Sequence, residues 1–119
     1  MSDISEKDIV RLRHMLDAAR MTQLLIKDET RKSLDDDWKL QLALTRAAEI
    51  VGEAAQISRE VHNANPQIEW AGIVALRNRI IHGYFNVNYD ILWEIVIKDV
   101  PTLMIELEKL IPPLDEDER

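Results

Sequence analysis

Apolar residues recur at three- and four-residue spacing along almost the whole of this 119-residue chain, and that period commits the sequence to helices. Ile9, Leu12, Leu16, Ala19 and Ile26 form a first stripe, and Leu40, Leu44, Ala47, Ala48, Val51, Ala54 and Ala55 form a second. Leu92, Ile95 and Val96, followed by Leu103, Leu107 and Leu110, form the last. Turn formers are scarce, with 3 glycines and 4 prolines, whereas a β-sandwich or barrel needs a turn every few residues. The length suits one domain, which usually runs to about 100–150 residues. The expected fold is all-α, a bundle of four main amphipathic helices joined by short turns.

Local signals set the expected boundaries. Ser5 is placed to cap the first helix, with Glu6 and Asp8 in its first turn, and the pattern fades at Lys27-Asp28-Glu29-Thr30. The second helix is expected to start between Ser33 and Asp37, where Asp35, Asp36 and Asp37 suit an N-terminus. Gly52 lies inside it at a penalty of about 1 kcal/mol relative to Ala. With alanines on both sides, that penalty is best offset by close approach of a neighbouring helix or a second subunit. Asn63-Ala64-Asn65-Pro66 is a turn signal. A third helix is expected from Ile68 or Trp70 to His82, with Gly83 as its C-terminal stop. Asn88 or Asp90 can cap the fourth, Pro101 is expected to kink or divide it with Asp99 as a new cap, and Ile111-Pro112-Pro113 ends it. Residues 1–111 therefore read as the bundle, and 112–119 as an acidic tail expected to be solvated and disordered.

The charge is −7 and cysteine is absent, which rules out disulfides, thiolate metal sites and a cysteine nucleophile. Met1 to Glu6 show no basic region followed by an apolar run, and no apolar run approaches the roughly 20 residues of a membrane span. A soluble cytoplasmic protein is expected. The net charge argues against indiscriminate nucleic-acid binding. Acid is unevenly spread, however: the window from Trp70 to Tyr89 has no Asp or Glu, while it holds Arg77, Arg79 and His82. A local electropositive island in an acidic chain points to a confined anion site.

Gly-rich phosphate loops, a nucleophile-elbow serine and paired metal-ligating histidines are all missing from the sequence. His14 and His62 stand alone, and the aspartate run reads as a helix start. The segment Leu76-Arg77-Asn78-Arg79-Ile80-Ile81-His82-Gly83-Tyr84-Phe85 is different. Projected as one helix at ~100° per residue from Ile73, its apolar side chains fill an arc from about 300° to 100°, with Arg77 near 40° inside it. A guanidinium there must be partnered or face a cleft. Pairing with an acid of another helix, Glu53 for one, is the plain reading; an anion site is the other. Asn78 and His82, four apart, share another face, where the amide can orient the imidazole. On the same ideal helix Arg77 and His82 lie ~140° apart, so one phosphate is gripped by both only if Gly83 loosens the last turn or a second subunit completes the site.

Arg77-Asn78-Arg79-Ile80-Ile81-His82-Gly83-Tyr84 resembles the Arg-x4-His-x-Tyr motif of HEPN-domain toxins, specifically the HepT-like family. Ile50-Val51-Gly52-Glu53-Ala54-Ala55 is similar to the family's second-helix signature, and Pro66-Gln67-Ile68-Glu69-Trp70 to the entry of its third helix. Asp90-Ile91-Leu92-Trp93 and Asp99-Val100-Pro101-Thr102-Leu103 match its downstream pattern. The likeness runs from the first helix to about Leu110.

The resemblance implies a four- or five-helix, up-and-down HEPN bundle working as a homodimer, open to further assembly with a partner. It implies a metal-independent ribonuclease toxin that uses no cofactor. It also implies a neighbouring MNT-type nucleotidyltransferase antitoxin, which silences the toxin by transferring AMP to the motif tyrosine, here Tyr84. On this chain the catalytic pair falls on Arg77 and His82, with Asn78 and Arg79 positioning the substrate. The chemistry is coherent, because RNA carries its own 2′-hydroxyl nucleophile. An imidazole can act as acid or base near neutrality, and a guanidinium can hold a phosphate bidentately and stabilise its extra transition-state charge. The alternative is a non-catalytic module that docks a nucleotidyltransferase and binds a nucleotide at Arg77. A purely structural oligomer leaves the acid-free window unexplained.

Overall fold

The computed structural model describes residues 4–82 and 86–113. Helix α1 spans Glu6–Ile26 and opens as the sequence implies, with the Ser5 hydroxyl accepting from the Asp8 N–H. A short α2, Arg31–Asp36, follows under a Thr30/Ser33 capping box. Helix α3, Trp38–Ala54, begins at Asp37, whose carboxylate accepts from the N–H groups of Lys39 and Leu40. The aspartate run thus divides. Asp37 caps α3, while Asp35 and Asp36 close α2 and pair one turn back with Arg31 and Lys32.

Two single-turn pieces, α5 at Trp70–Val74 and α6 at Leu76–Ile80, stand where one third helix was expected; α4, Arg59–Ala64, precedes them. The last element is continuous. Helix α7, Tyr89–Glu94, runs through a π-helical segment, Ile95–Asp99, into α8, Val100–Leu110. Asn88 caps it through its side chain, which accepts from the Ile91 N–H.

Pro101 does not divide this helix, and Asp99 is helical with no capping bond. The π geometry explains why. Val100 donates to the Ile95 carbonyl five residues back, so the carbonyl left without a partner by the proline nitrogen is that of Val96. The Gln23 side-chain amide of α1 donates to it at 2.8 Å.

Side-chain bonds fix the directions of the long helices. Arg11 of α1 reaches the Gln56 carbonyl just past α3, so α1 and α3 are antiparallel. Arg13 meets the Pro112 carbonyl, Arg20 meets Glu108, and Gln23 meets Val96, so the last helix also runs antiparallel to α1. Their facing stripes make one core, with Leu12, Met15, Leu44, Val51, Leu92, Val96 and Leu107 fully enclosed. Strands are absent among the described residues, apart from a single antiparallel bridge between Ile81 and Val87.

Candidate active site

Gly52 is the point where the motif segment meets α3. A Cβ built there would lie 2.9 Å from the Ile73 carbonyl oxygen and 3.2 Å from Leu76 Cβ. The expected close approach is therefore an intramolecular crossing, with the backbone of α5 and the start of α6 against the glycine. Leu76 and Ile80, four apart, are buried on α6. Everything between them (Arg77, Asn78 and Arg79) is exposed.

The helix stops at Ile80, short of the expected His82. Ile81 is extended at φ −114°, ψ 121° and bridges to Val87, both β-branched residues that suit extended backbone. The His82 N–H donates to the Asn86 carbonyl at 2.7 Å and the Asn88 N–H to the Ile80 carbonyl at 2.6 Å. His82 is exposed at the rim of this small ladder. The ideal-helix angle between Arg77 and His82 and the four-apart relation of Asn78 to His82 both lapse, because the two residues no longer share a helix. Gly83 and Tyr84, the expected helix stop and AMP acceptor, lie outside the described residues.

Arg77 is not inside an apolar arc. Its side chain is 59% exposed, and its Nε donates to Glu49 Oε2 at 3.3 Å, with Glu49 only 19% exposed. The projection fails because Ala75 interrupts the helix between α5 and α6. Glu53, the acid considered from sequence, pairs instead with Arg46. Glu49 is the functional candidate that sequence reasoning missed, and a signal existed. It lies ~60° around α3 from Gly52, nearer the crossing point with the motif segment than Glu53, which lies ~100° around on the same side.

Arg79 points elsewhere. Its guanidinium lies over Gly72 of α5 and lines a cleft of about 410 Å³ between α5 and the π segment. Glu69, Lys98, Asp99 and Glu106 ring that cleft over an apolar floor that includes Leu76 and Ile95. His62 is structural: its ring stacks on Trp70 at 4.5 Å and its Nε2 donates to the Ala55 carbonyl at 2.9 Å. His14 is exposed in a second recess, beside Arg11 and Arg46. Among the described residues no group of three His, Asp or Glu side chains is arranged to hold a metal ion, and no helix is long and apolar enough to cross a membrane.

A helical bundle that presents arginine, asparagine and histidine on one exposed turn and the loop after it is the class to which HEPN proteins belong. The family model described as ribonuclease HepT-like matches residues 15–110. The chain belongs to that family of ribonucleases. It is 38% identical over 109 residues to "Putative RNase MJ0127" of Methanocaldococcus jannaschii, covering 90% of this chain and 87% of that protein. "Probable ribonuclease HepT" of Thermococcus cleftensis is 37% identical over 91 residues, covering 72% of this chain and 83% of that one. "Putative RNase TTE0752" of Caldanaerobacter subterraneus is 31% identical over 109 residues, covering 91% and 94%. No solved structure matches the chain.

Proposed function

We propose that the protein is the toxin of a toxin–antitoxin pair and cleaves RNA with Arg77 and His82. The observation that carries this reading is the exposed guanidinium of Arg77, oriented by Glu49 through one nitrogen, on the short helix that ends two residues before an exposed imidazole. A guanidinium has five N–H donors, so its terminal nitrogens can take a phosphate while Nε stays on the carboxylate. In the reaction His82 takes the proton of the 2′-hydroxyl. The 2′-oxygen attacks the adjacent phosphorus, the bond to the 5′-oxygen breaks, and that oxygen leaves with a proton from the imidazolium of the second copy or from water. Arg77 stabilises the charge on the phosphorane. Asn78 and Arg79 steer the flanking strand. Neither metal nor cofactor is required, since the substrate supplies the nucleophile. The working unit is a homodimer in which two such motifs face one RNA, and RNA is the substrate that the family membership favours.

Control falls to an MNT-type nucleotidyltransferase, which transfers AMP from ATP to the Tyr84 hydroxyl with release of pyrophosphate. A charged adenylyl group two residues from His82 would repel the incoming phosphodiester.

The test is RNA cleavage by the purified protein, with and without a chelator, beside Arg77→Ala and His82→Ala. Wild type is expected to cut in both conditions, and each variant to lose about a hundred- to ten-thousand-fold in rate while staying folded. Expression of wild type without the partner is expected to arrest growth, and both variants to relieve the arrest. Folded variants that cut RNA like wild type would remove the assignment. A wild type that leaves RNA intact yet binds the nucleotidyltransferase tightly would favour the docking-module alternative.

A further inference from the structure

Three arginines from three different elements are anchored on acceptors of α3 and its C-terminal end. Arg77 of α6 holds Glu49 through Nε, Arg46 of α3 holds Glu53 through Nη1 at 3.1 Å, and Arg11 of α1 holds the Gln56 carbonyl through Nη1 at 2.7 Å. Positions 49 and 53 are four residues apart on α3, so their carboxylates fall on one side of the helix about one turn, or ~5.4 Å, from each other, and Gln56 lies two residues past the helix end. Each guanidinium is tethered by one nitrogen and has further N–H donors to offer. Beyond Glu49 the row opens into a recess of about 410 Å³ lined by Arg11, His14, Arg46, Ile50, Glu53 and Gln56. Two guanidiniums against one carboxylate leave it electropositive in a chain of net charge −7.

We infer that this recess is a second phosphate subsite, in which Arg46 and Arg11 bind the backbone of a single-stranded RNA whose scissile phosphate lies at Arg77. The inference rests on the ribonuclease reading and adds residues of α1 and α3 to it. Tethered guanidiniums lose less freedom on binding than free ones, and one turn of helix between tethers lets successive phosphates be met in sequence along the strand. Ile50 and Ala54 supply an apolar wall against which a ribose can rest.

The experiment measures binding of a 2′-O-methyl oligonucleotide of ~10 residues, a length that spans such a groove, by fluorescence anisotropy across a salt series. Arg46→Gln and Arg11→Gln are expected to bind three- to tenfold more weakly and to lower the salt slope by about 0.7 each, the loss of one phosphate contact on a single strand. Arg46→Lys is expected to keep the wild-type slope. Arg46 is 61% exposed and Arg11 is half-buried, so denaturant melts check that both variants fold, and sedimentation checks the oligomeric state in parallel. If wild type cuts RNA while Arg46→Gln and Arg11→Gln bind with unchanged affinity and slope, the subsite is wrong and the ribonuclease reading stands. If the substitutions change the oligomeric state instead of the affinity, the face is a subunit contact and the inference falls. If wild type neither cuts RNA nor binds the oligonucleotide, the ribonuclease reading falls and takes the subsite with it.

Discussion

Arg77 Nε and Glu49 Oε2 are 3.3 Å apart across 28 residues of chain, a contact that ties the motif turn to the middle of α3. The arginine is mostly exposed and the carboxylate mostly covered. Exposed pairs of this kind contribute about 0–1 kcal/mol to stability, so the pair's consequence is orientation more than folding. Glu49→Ala is expected to lower the RNA cleavage rate about tenfold with an unfolding midpoint close to wild type, and Glu49→Gln to recover part of the loss. Steady-state rates beside denaturant melts check this; a Glu49→Ala variant with wild-type rates would show that Arg77 needs no tether.

Arg77→Lys separates charge from shape. An ammonium keeps the positive charge but not the planar fork that meets two phosphate oxygens at once. Cleavage is expected to fall at least tenfold while oligonucleotide binding falls less, a kcat effect exceeding the KM effect. Equal activity of the two side chains would show that only the charge is used.

Gly52→Ala tests the crossing that carries the motif. The new methyl group would stand 2.9 Å from the Ile73 carbonyl oxygen, a backbone atom that moves only with α5. Overpacking of this sort costs about 1–3 kcal/mol. The variant is expected to melt lower and to lose cleavage activity even at temperatures where it is fully folded, because the turn bearing Arg77 is displaced. Denaturant unfolding and single-turnover cleavage at low temperature check both parts.

Gln23 and Pro101 are expected to be coupled. Gln23→Ala leaves the Val96 carbonyl unpaired beside the core, a loss of about 1–3 kcal/mol. Pro101→Ala supplies a backbone N–H that can reach the same carbonyl, so Gln23→Ala should cost much less in that background. A double-mutant cycle on unfolding free energies measures the coupling; strictly additive effects would sink the explanation given for the π segment.

Tyr84 is the expected AMP acceptor under the proposed regulation. Incubation with the neighbouring nucleotidyltransferase and ATP should add the mass of AMP to wild type and not to Tyr84→Phe, with RNA cleavage falling in step. An identical mass increment on Tyr84→Phe would move the acceptor elsewhere.

The sequence carried the long helices because their signals are local. Ser5 and Asn88 cap by bonds within one turn, and the stripes of α1 and α3 set their own buried faces. Gly52 announced a close approach by its position alone. Other features depended on distant partners. Helical projection placed Arg77 in an apolar arc, but the break at Ala75 and the extended Ile81 arise from packing on α3 and pairing with Val87. The acid-free window was real along the chain, yet Glu49 enters it from another helix. Pro101 reads as a breaker in isolation, and only the Gln23 amide, 73 residues away along the chain from the carbonyl it serves, makes it tolerable.

The π segment also acts as a phase shifter. A five-residue bonding step holds one residue more than a regular turn, so everything after Ile95–Asp99 is rotated by ~100° relative to where an unbroken α-helix of the same sequence would place it. That offset lets one uninterrupted rod serve two neighbours, with α7 against α2 and α6 and α8 against α1. Deleting exposed Ile97, which is 42% accessible, would restore regular bonding and leave Val100, Leu103 and Leu107 facing α1, because five residues in the wider step turn through about the same angle as four in an α-helix. The wider turn thereby takes up a surface residue with little packing of its own while the two halves of the molecule stay in step.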